Sequence, residues 1–549
     1  MRLWLWALLM ASLVAGCKEK DPQLVKNSFL YCSASGPVSF NPQLVITTET
    51  LDATAHQLYD RLLTFESHGQ DVSPGLAVNW QRSEDGLRYR LTLRKEVAFH
   101  HTAWFVPSRP FNADDVVFSF TRLSDTQHAY HNVSGGKYPF FNAIHWQKLV
   151  NNVHAVNEHE VEFVLNYPDA DFLSYLASDY AVILSAQYGA HLLALGTPQL
   201  LDRQPVGTGP FLLALYRPDE FIRYQRHPNY WQAQPSFQQL VFDITPKSSK
   251  RLAKLLSGEC DAMANPAASQ LEVIANHPDL ALSEPVGMNV AVLALNTQKP
   301  PLTDLRVRKA ISLMLNREDI LQAVYFGHAQ IAKHLLTPTS WARDPLTPSA
   351  SLRALTPLTP MLPKQNNPTL TKARALLADA GVSEGFTLTL LTASGARAYN
   401  PDSIKTGQLL QQQLAPLGIT LKLRALDEQV LRQYLIKGEH DAVLTGWSAD
   451  LPSPTNLLRN LLSCTAISSG TNASRWCNPA FEAELNLSMN QATPEYRHAY
   501  YQAAQYLAEL DVALIPLIHS QRHLAFHQSV SGLQPLPYGG VNFQQVAKD

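Results

Sequence analysis

Residues 371–446 restrict the fold more than any other stretch, because their apolar periodicity switches repeatedly between helix and strand. The spacing predicts helices over 371–380, 403–416 and 427–437, and strands over 386–392, 419–424 and 441–446. Helix alternating with strand marks an α/β unit with a mainly parallel sheet, since parallel neighbours need a crossover long enough to hold a helix. The nearly all-apolar run Val290-Ala291-Val292-Leu293-Ala294-Leu295 reads as a strand covered on both faces. Binding residues of such folds gather at strand ends. The last strand, Ala442-Val443-Leu444, is expected to close on a glycine turn at Gly446-Trp447-Ser448-Ala449-Asp450. Asp450, a lone acid beside the Trp447 indole, is therefore expected at a strand end facing a cleft. An apolar helix should follow over Asn456–Leu462, then a loop with Cys464 and Cys477 at its ends.

The rest of the chain supplies further elements. A first strand begins at Phe29-Leu30-Tyr31 and runs into Cys32, and helical spacing covers Asp52 to Leu63. Tyr89 to Arg94 alternates like a strand with one apolar face. Asn112 is the natural N-cap of a helix beginning at Phe111, with Asp114 and Asp115 suited to its dipole. Pro205-Val206-Gly207-Thr208-Gly209-Pro210-Phe211 reads as a turn leading into strand. Leu240–Ile244 is a strand, Lys250–Leu256 a helix, and Cys260–Met263 a short edge after a turn at Gly258. Asp304–Asn316 should be a helix with Val307, Ile311 and Leu315 inward, and Tyr500–Leu510 another, running into Ala513–Leu517. Residues 337–369, rich in Pro, Thr and Ser, read as a surface loop.

The first residues follow export rules rather than folding rules. Arg2 precedes an apolar run from Leu3 to Val14 that is too short to span a bilayer, so residues 1–16 read as a secretory signal. Val14-Ala15-Gly16-Cys17 resembles a bacterial lipobox, which implies cleavage before Cys17, lipid on that residue, and a polar tether over 17–27. No later run of eighteen apolar residues is present in the sequence. An exported chain with four remaining cysteines, Cys32, Cys260, Cys464 and Cys477, invites two disulfides. Three pairings are open; local spacing favours Cys464 with Cys477, leaving Cys32 with Cys260. Zinc is disfavoured because no CxxC or paired histidines accompany them. About 530 mature residues suggest three or four domain-sized units. A net charge of −2 argues against a nucleic-acid surface.

Catalytic motifs are weak. Gly381-Val382-Ser383-Glu384-Gly385 fits GxSxG, but a nucleophile elbow needs a strand before the serine and a helix after it. Here the order is reversed, so Gly381 reads as a helix C-cap and Ser383 as loop. His159-Glu160 lacks the second histidine of HExxH, and His100-His101 has no third ligand in view. The chain is expected to be no enzyme, with no cofactor and no metal.

A resemblance carries the reading further. Leu76-Ala77, Trp80, Ser83, Asp85-Gly86, Leu93-Arg94, Val97, Phe99 and Phe111-Asn112-Ala113-Asp114-Asp115-Val116 resemble the family-five solute-binding proteins. These are the peptide, dipeptide and oligopeptide receptors of ABC importers. The likeness continues, in order, through Pro205–Phe211, Arg226-His227-Pro228-Asn229-Tyr230-Trp231 and Asn296-Thr297 to Ala310-Ile311. Within the family it is strongest to the Sap branch, on Asp202-Arg203-Gln204, Gly258-Glu259-Cys260-Asp261, Pro266–Leu271 and Gly287-Met288-Asn289-Val290; the two-disulfide layout agrees.

The resemblance implies an α/β, two-lobed periplasmic-binding-protein fold with a subdomain inserted in lobe I and the ligand cleft between lobes. Lobe I would take residues 28–286 and 521–549, and lobe II 287–520, with closure about a hinge. Asp450 would pair with a peptide's ammonium. Arg397, in Arg397-Ala398-Tyr399-Asn400-Pro401, would pair with its C-terminal carboxylate, and Gly446, Trp447 and Tyr399 would complete the site. The family's Asp-Pro-Asp after the acid is replaced here by Ser453-Pro454-Thr455. The implied partners are a peptide ligand, cationic antimicrobial peptides among the candidates, and an inner-membrane ABC permease with its ATPase. The implied protein is a periplasmic, membrane-anchored monomeric lipoprotein that binds no nucleic acid. Haem or another non-peptide cargo is the alternative, and a secreted serine hydrolase acting through Ser383 a distant third.

Overall fold

The computed structural model describes residues 27–65, 71–343, 367–382, 385–491, 493–536 and 539–548, so residues 1–16, expected to be a secretory signal, Cys17 and Ser383 lie outside the described residues. Within them the chain builds two main sheets. One has seven strands in the order Leu280–Ser283, Leu524–His527, Ala262–Ala264, Ser28–Ser33, Gln239–Ile244, Phe221–Arg226, Phe211–Arg217. A separate antiparallel sheet of four strands, from Ala77–Arg82 to Glu160–Leu165, shares its hydrophobic core. Its strand Arg88–Leu93 alternates exposed and buried residues, as the sequence pattern required. The helix Ala113–Ser124 beside it opens on a capping box: Asn112 Oδ1 accepts from Asp114 N, and the Asp115 carboxylate accepts from Asn112 N.

The other main sheet has six strands, in the order Ala329–Ile331, Ile515–Ser520, Asn289–Leu295, Ala442–Ser448, Phe386–Ala393, Ile419–Leu426. Asn289–Leu295 is buried along its whole length. The expected mainly parallel sheet is corrected: only Phe386–Ala393 runs parallel to its two neighbours, and the remaining three pairings are antiparallel. The chain enters this sheet from the first half at Asn289 and leaves toward it after Ser520. A strand leaving a crossover and one returning to it must run in opposite senses.

The two crossings lie side by side. Gly287 N donates to Ser520 O at 3.1 Å, Arg522 N to Pro285 O at 3.3 Å, and the Asn289 side chain both donates to Ser520 O and accepts from Ser520 N. The disulfides Cys32–Cys260 and Cys464–Cys477 are both formed.

Three smaller expectations are corrected. The helix over 52–63 is only Thr48–Thr54; the chain then bends to lie against the Pro205–Phe211 turn, where a Cβ on Gly207 would meet Leu58 O at 1.9 Å. The segment at Cys260–Met263 is not an edge, because the C-terminal strand Leu524–His527 pairs with Ala262–Ala264 on its far side. Residues 337–343 are not surface loop throughout: Thr337 and Ala342 are buried, and the Gln505 side chain donates to Ala342 O at 3.2 Å. Helix Asn367–Asp379 precedes Gly381, and strand Phe386–Ala393 follows Gly385, the reverse of a nucleophile elbow. Among the described residues no helix is long and apolar enough to cross a membrane.

Candidate functional site

The site grows from the strand Ala442–Ser448. Gly446 sits inside this strand, opposite Ala291, and not in the turn expected for it. The reason is a ring. A Cβ on Gly446 would lie 2.6 Å from Tyr399 Cγ and 2.3 Å from Val290 O, so only glycine lets the Tyr399 ring rest on the strand. Tyr399 is carried inward by a tight turn in which Arg397 N donates to Asn400 O at 2.9 Å and Asn400 N to Arg397 O at 3.0 Å. Burial raises the pKa of the Tyr399 phenol. Its backbone carbonyl accepts from Tyr325 Oη at 2.7 Å.

Beyond the strand, Ala449 N donates to Met288 O at 2.7 Å and the chain turns away. Asn456 then fixes the next residues. Its Oδ1 accepts from the Trp447 indole at 3.0 Å and from Asp450 N at 3.3 Å. Asn456 is held in turn by helix Pro454–Leu462, whose Leu457, Leu458, Leu461 and Leu462 are buried in the core. The orientation of Asp450 is thus set by packing, not by a mobile loop tip.

Asp450 is half-buried, and its Oδ1 accepts from Tyr180 Oη at 3.0 Å. Tyr180 comes from the first half of the molecule, so this bond crosses between the halves. Burial pushes the Asp450 carboxyl up to about 6, against the opposing pull of the Tyr180 bond. Among the described residues no cation is bonded to it. A carboxylate taken partly out of water with no counter-charge would be stabilised by a cation brought against it.

Gly446, Trp447, Tyr399 and Asp450 are therefore brought together. Arg397 shares the Tyr399 turn, but its Nη2 donates to Glu428 at 2.9 Å, in a pair where Glu428 is 74% exposed. Tyr180 and Asn456 were not singled out from sequence. Asn456 carried a signal, the polar residue that opens an apolar helix; Tyr180 carried none. A separate cavity of about 490 Å³, bounded by residues including Arg226, His227 and Gln238, shares no residue with this site. The described residues hold no cluster of three or more metal-ligating side chains.

Comparison with known proteins agrees across most of the chain. A model of the bacterial extracellular solute-binding proteins, family 5, middle region, matches residues 71–469. The peptide transport periplasmic protein SapA of Salmonella typhimurium is 38% identical over 523 residues, covering 95% of this chain and 92% of that one. Heme-binding protein A of Haemophilus influenzae is 36% identical over 523 residues, with 95% and 92% covered. Among solved structures, the dipeptide binding protein of Pseudoalteromonas sp. SM9913 in complex with Met-Leu superposes with a TM-score of 0.79. It is 36% identical, with 95% of this chain and 100% of that one covered.

Proposed function

This chain belongs to the bacterial extracellular solute-binding proteins of family 5, and from that premise we propose that it is the substrate-binding component of an ABC peptide importer. The two main sheets are the cores of the two lobes, the four-stranded sheet belongs to the insert in lobe I, and ligand enters between the lobes. We take lobe I as residues 28–286 with 521–549, and lobe II as 287–520.

Asp450 is the observation that carries the reading. A peptide's ammonium placed against it would neutralise a charge that burial makes costly; Tyr180 donates to the carboxylate, and Asn456 fixes the Asp450 backbone by accepting from its N–H. Arg397 is proposed as the partner of the far carboxylate. Its pair with Glu428 is exposed, and exposed pairs contribute only about 0–1 kcal/mol, so a ligand carboxylate exchanges for it at little cost. Two fixed opposite charges would measure the length of a short zwitterion, while water in the cleft accommodates varied side chains.

The Val14-Ala15-Gly16-Cys17 pattern supports a periplasmic receptor held to the membrane by lipid on Cys17, delivering cargo to a permease and its ATPase. The Salmonella relative, a peptide transport protein, supports peptide cargo; cationic antimicrobial peptides are proposed as one class of it. The Haemophilus relative makes haem the competing cargo. Native mass spectrometry of protein purified without added ligand tests the reading. Short peptides released on denaturation are expected; haem released instead, with its absorbance band, would overturn it.

A further inference from the structure

The cavity of about 490 Å³ that shares no residue with the Asp450 site lies in lobe I, and its size suits a small organic ligand. Strand Phe211–Arg217, at the edge of the seven-stranded sheet, supplies Leu212. Strand Phe221–Arg226 supplies Gln225, directly opposite Leu212, and then Arg226. The loop that follows supplies most of the remaining wall. It is closed at its neck, where Arg226 N donates to Gln238 O at 2.9 Å, and anchored at its start, where His227 N donates to Pro210 O at 2.8 Å. Within it the Gln234 amide donates to Pro228 O at 3.1 Å. The walls are thus held by strand pairing and by hydrogen bonds across the loop.

The lining is polar and has no acid. Among the described residues that bound the cavity there is no carboxylate, and Arg226 carries the one permanent charge. Its guanidinium makes one bond among the described residues, Nη1 donating to Pro235 O at 3.1 Å. That bond fixes the group and leaves most of its N–H donors uncommitted. The side chains of Gln225, Asn229 and Gln238 are exposed, and their carboxamides bond to no other described residue. His227 is buried with Nδ1 3.2 Å from Gly209 O, and burial pulls its imidazole down to about 4, so it adds no charge near neutral pH.

These groups select a ligand chemistry. A guanidinium offers a planar fork to an oxyanion and binds it through charge-assisted hydrogen bonds. Carboxamides both donate and accept, which matches hydroxyl groups, and Leu212 with Pro228 leaves apolar surface for a carbon skeleton. A cationic solute meets no counter-charge in this lining. We propose that the cavity is a second ligand site, taking a small hydroxylated oxyanion, a sugar acid or a sugar phosphate. The anion would lie on Arg226 and the hydroxyls on Gln225, Asn229 and Gln238. The proposal is independent of what the cleft between the lobes carries.

Calorimetry with gluconate, glucose 6-phosphate and glucose tests it. The first two distinguish a carboxylate from a phosphate, and the third lacks the anion. At least one of the two anions should bind saturably, and glucose at least roughly tenfold more weakly, as the loss of a charged hydrogen bond requires. Arg226→Gln should weaken binding of the anion by a similar factor, and Gln238→Leu should weaken it too. Asp450→Asn should leave it unchanged, because that residue belongs to the other site. Circular dichroism verifies folding; should Arg226→Gln not fold, Gln238→Leu carries the test, since its side chain is exposed. Binding of neither anion, glucose bound as tightly as the anions, a folded Arg226→Gln or Gln238→Leu with wild-type affinity, or loss of binding in Asp450→Asn would each overturn the site.

Discussion

At Asp450 the free-energy cost of a buried carboxylate has a sign that can be read in two directions. Its pKa in the folded, empty protein is about 6, above the ordinary aspartate value near 3.9. The folded state thus binds that proton more tightly than the unfolded chain does. The associated stability is present below about pH 4 and is lost as pH rises through about 6. Ligand binding runs the other way, because an ammonium needs the ionised acid. Peptide affinity should be greatest near pH 7, below the α-amino pKa of about 7.7–8, and weaken roughly tenfold by about pH 5. Calorimetry across that range checks this, using a peptide whose own groups do not titrate within it. A flat profile would mean the acid does not face the amine. How much of this residue was legible is instructive. Its place after Gly446-Trp447 marked it as exceptional, but the bond from Tyr180 joins residues 270 positions apart, and no local pattern encodes such a contact. Gly446 was visible as a special backbone position, yet the cause, a ring from Tyr399 lying on the strand, depends on a turn that belongs to a different element.

Among elements, those fixed by near neighbours were readable. The all-apolar strand at Asn289–Leu295, the Asn112 cap and the alternation of Arg88–Leu93 all express local periodicity or capping chemistry. Strand direction was not readable. The helix–strand alternation over 371–446 correctly implies parallel neighbours for Phe386–Ala393, but it is silent about Asn289–Leu295 and Ile515–Ser520, which arrive from outside that stretch. The loop between Cys464 and Cys477 makes an element-scale prediction. It ties the end of helix Pro454–Leu462 to the start of helix Pro479–Asn490, and Asn472 braces it by donating to Ser463 O at 3.0 Å and Trp476 O at 2.8 Å. Replacing both cysteines with alanine should cost about 3 kcal/mol of unfolding free energy, read from a denaturant titration. It should also weaken ligand binding, because the loosened helix carries Asn456. Unchanged affinity in a clearly destabilised variant would separate that helix from the site.

At the scale of the molecule, two lobes meet through crossings that lie side by side and through contacts that the sequence scatters widely, Asp171 and Arg497 being 326 residues apart. Their long separation explains why the resemblance to a family, and not the periodicity, supplied the two-lobed expectation. The proposed lipid anchor adds a prediction at this scale: Cys17→Ser should release the protein from washed membranes into the soluble fraction, and a variant still held by lipid after a carbonate wash would contradict the proposal. The central claim is that Asp450 receives a peptide ammonium inside the closed cleft. Asp450→Asn keeps the shape and removes the charge, leaving that ammonium without a counterion, which typically costs about 2–5 kcal/mol, or roughly a 30-fold to several-thousand-fold loss of affinity. The most direct test is a calorimetric cycle of wild type and Asp450→Asn, each with a free and an N-acetylated peptide. Acetylation should weaken binding strongly to the wild type and much less to Asp450→Asn; equal losses in both proteins would show that Asp450 does not hold the amine.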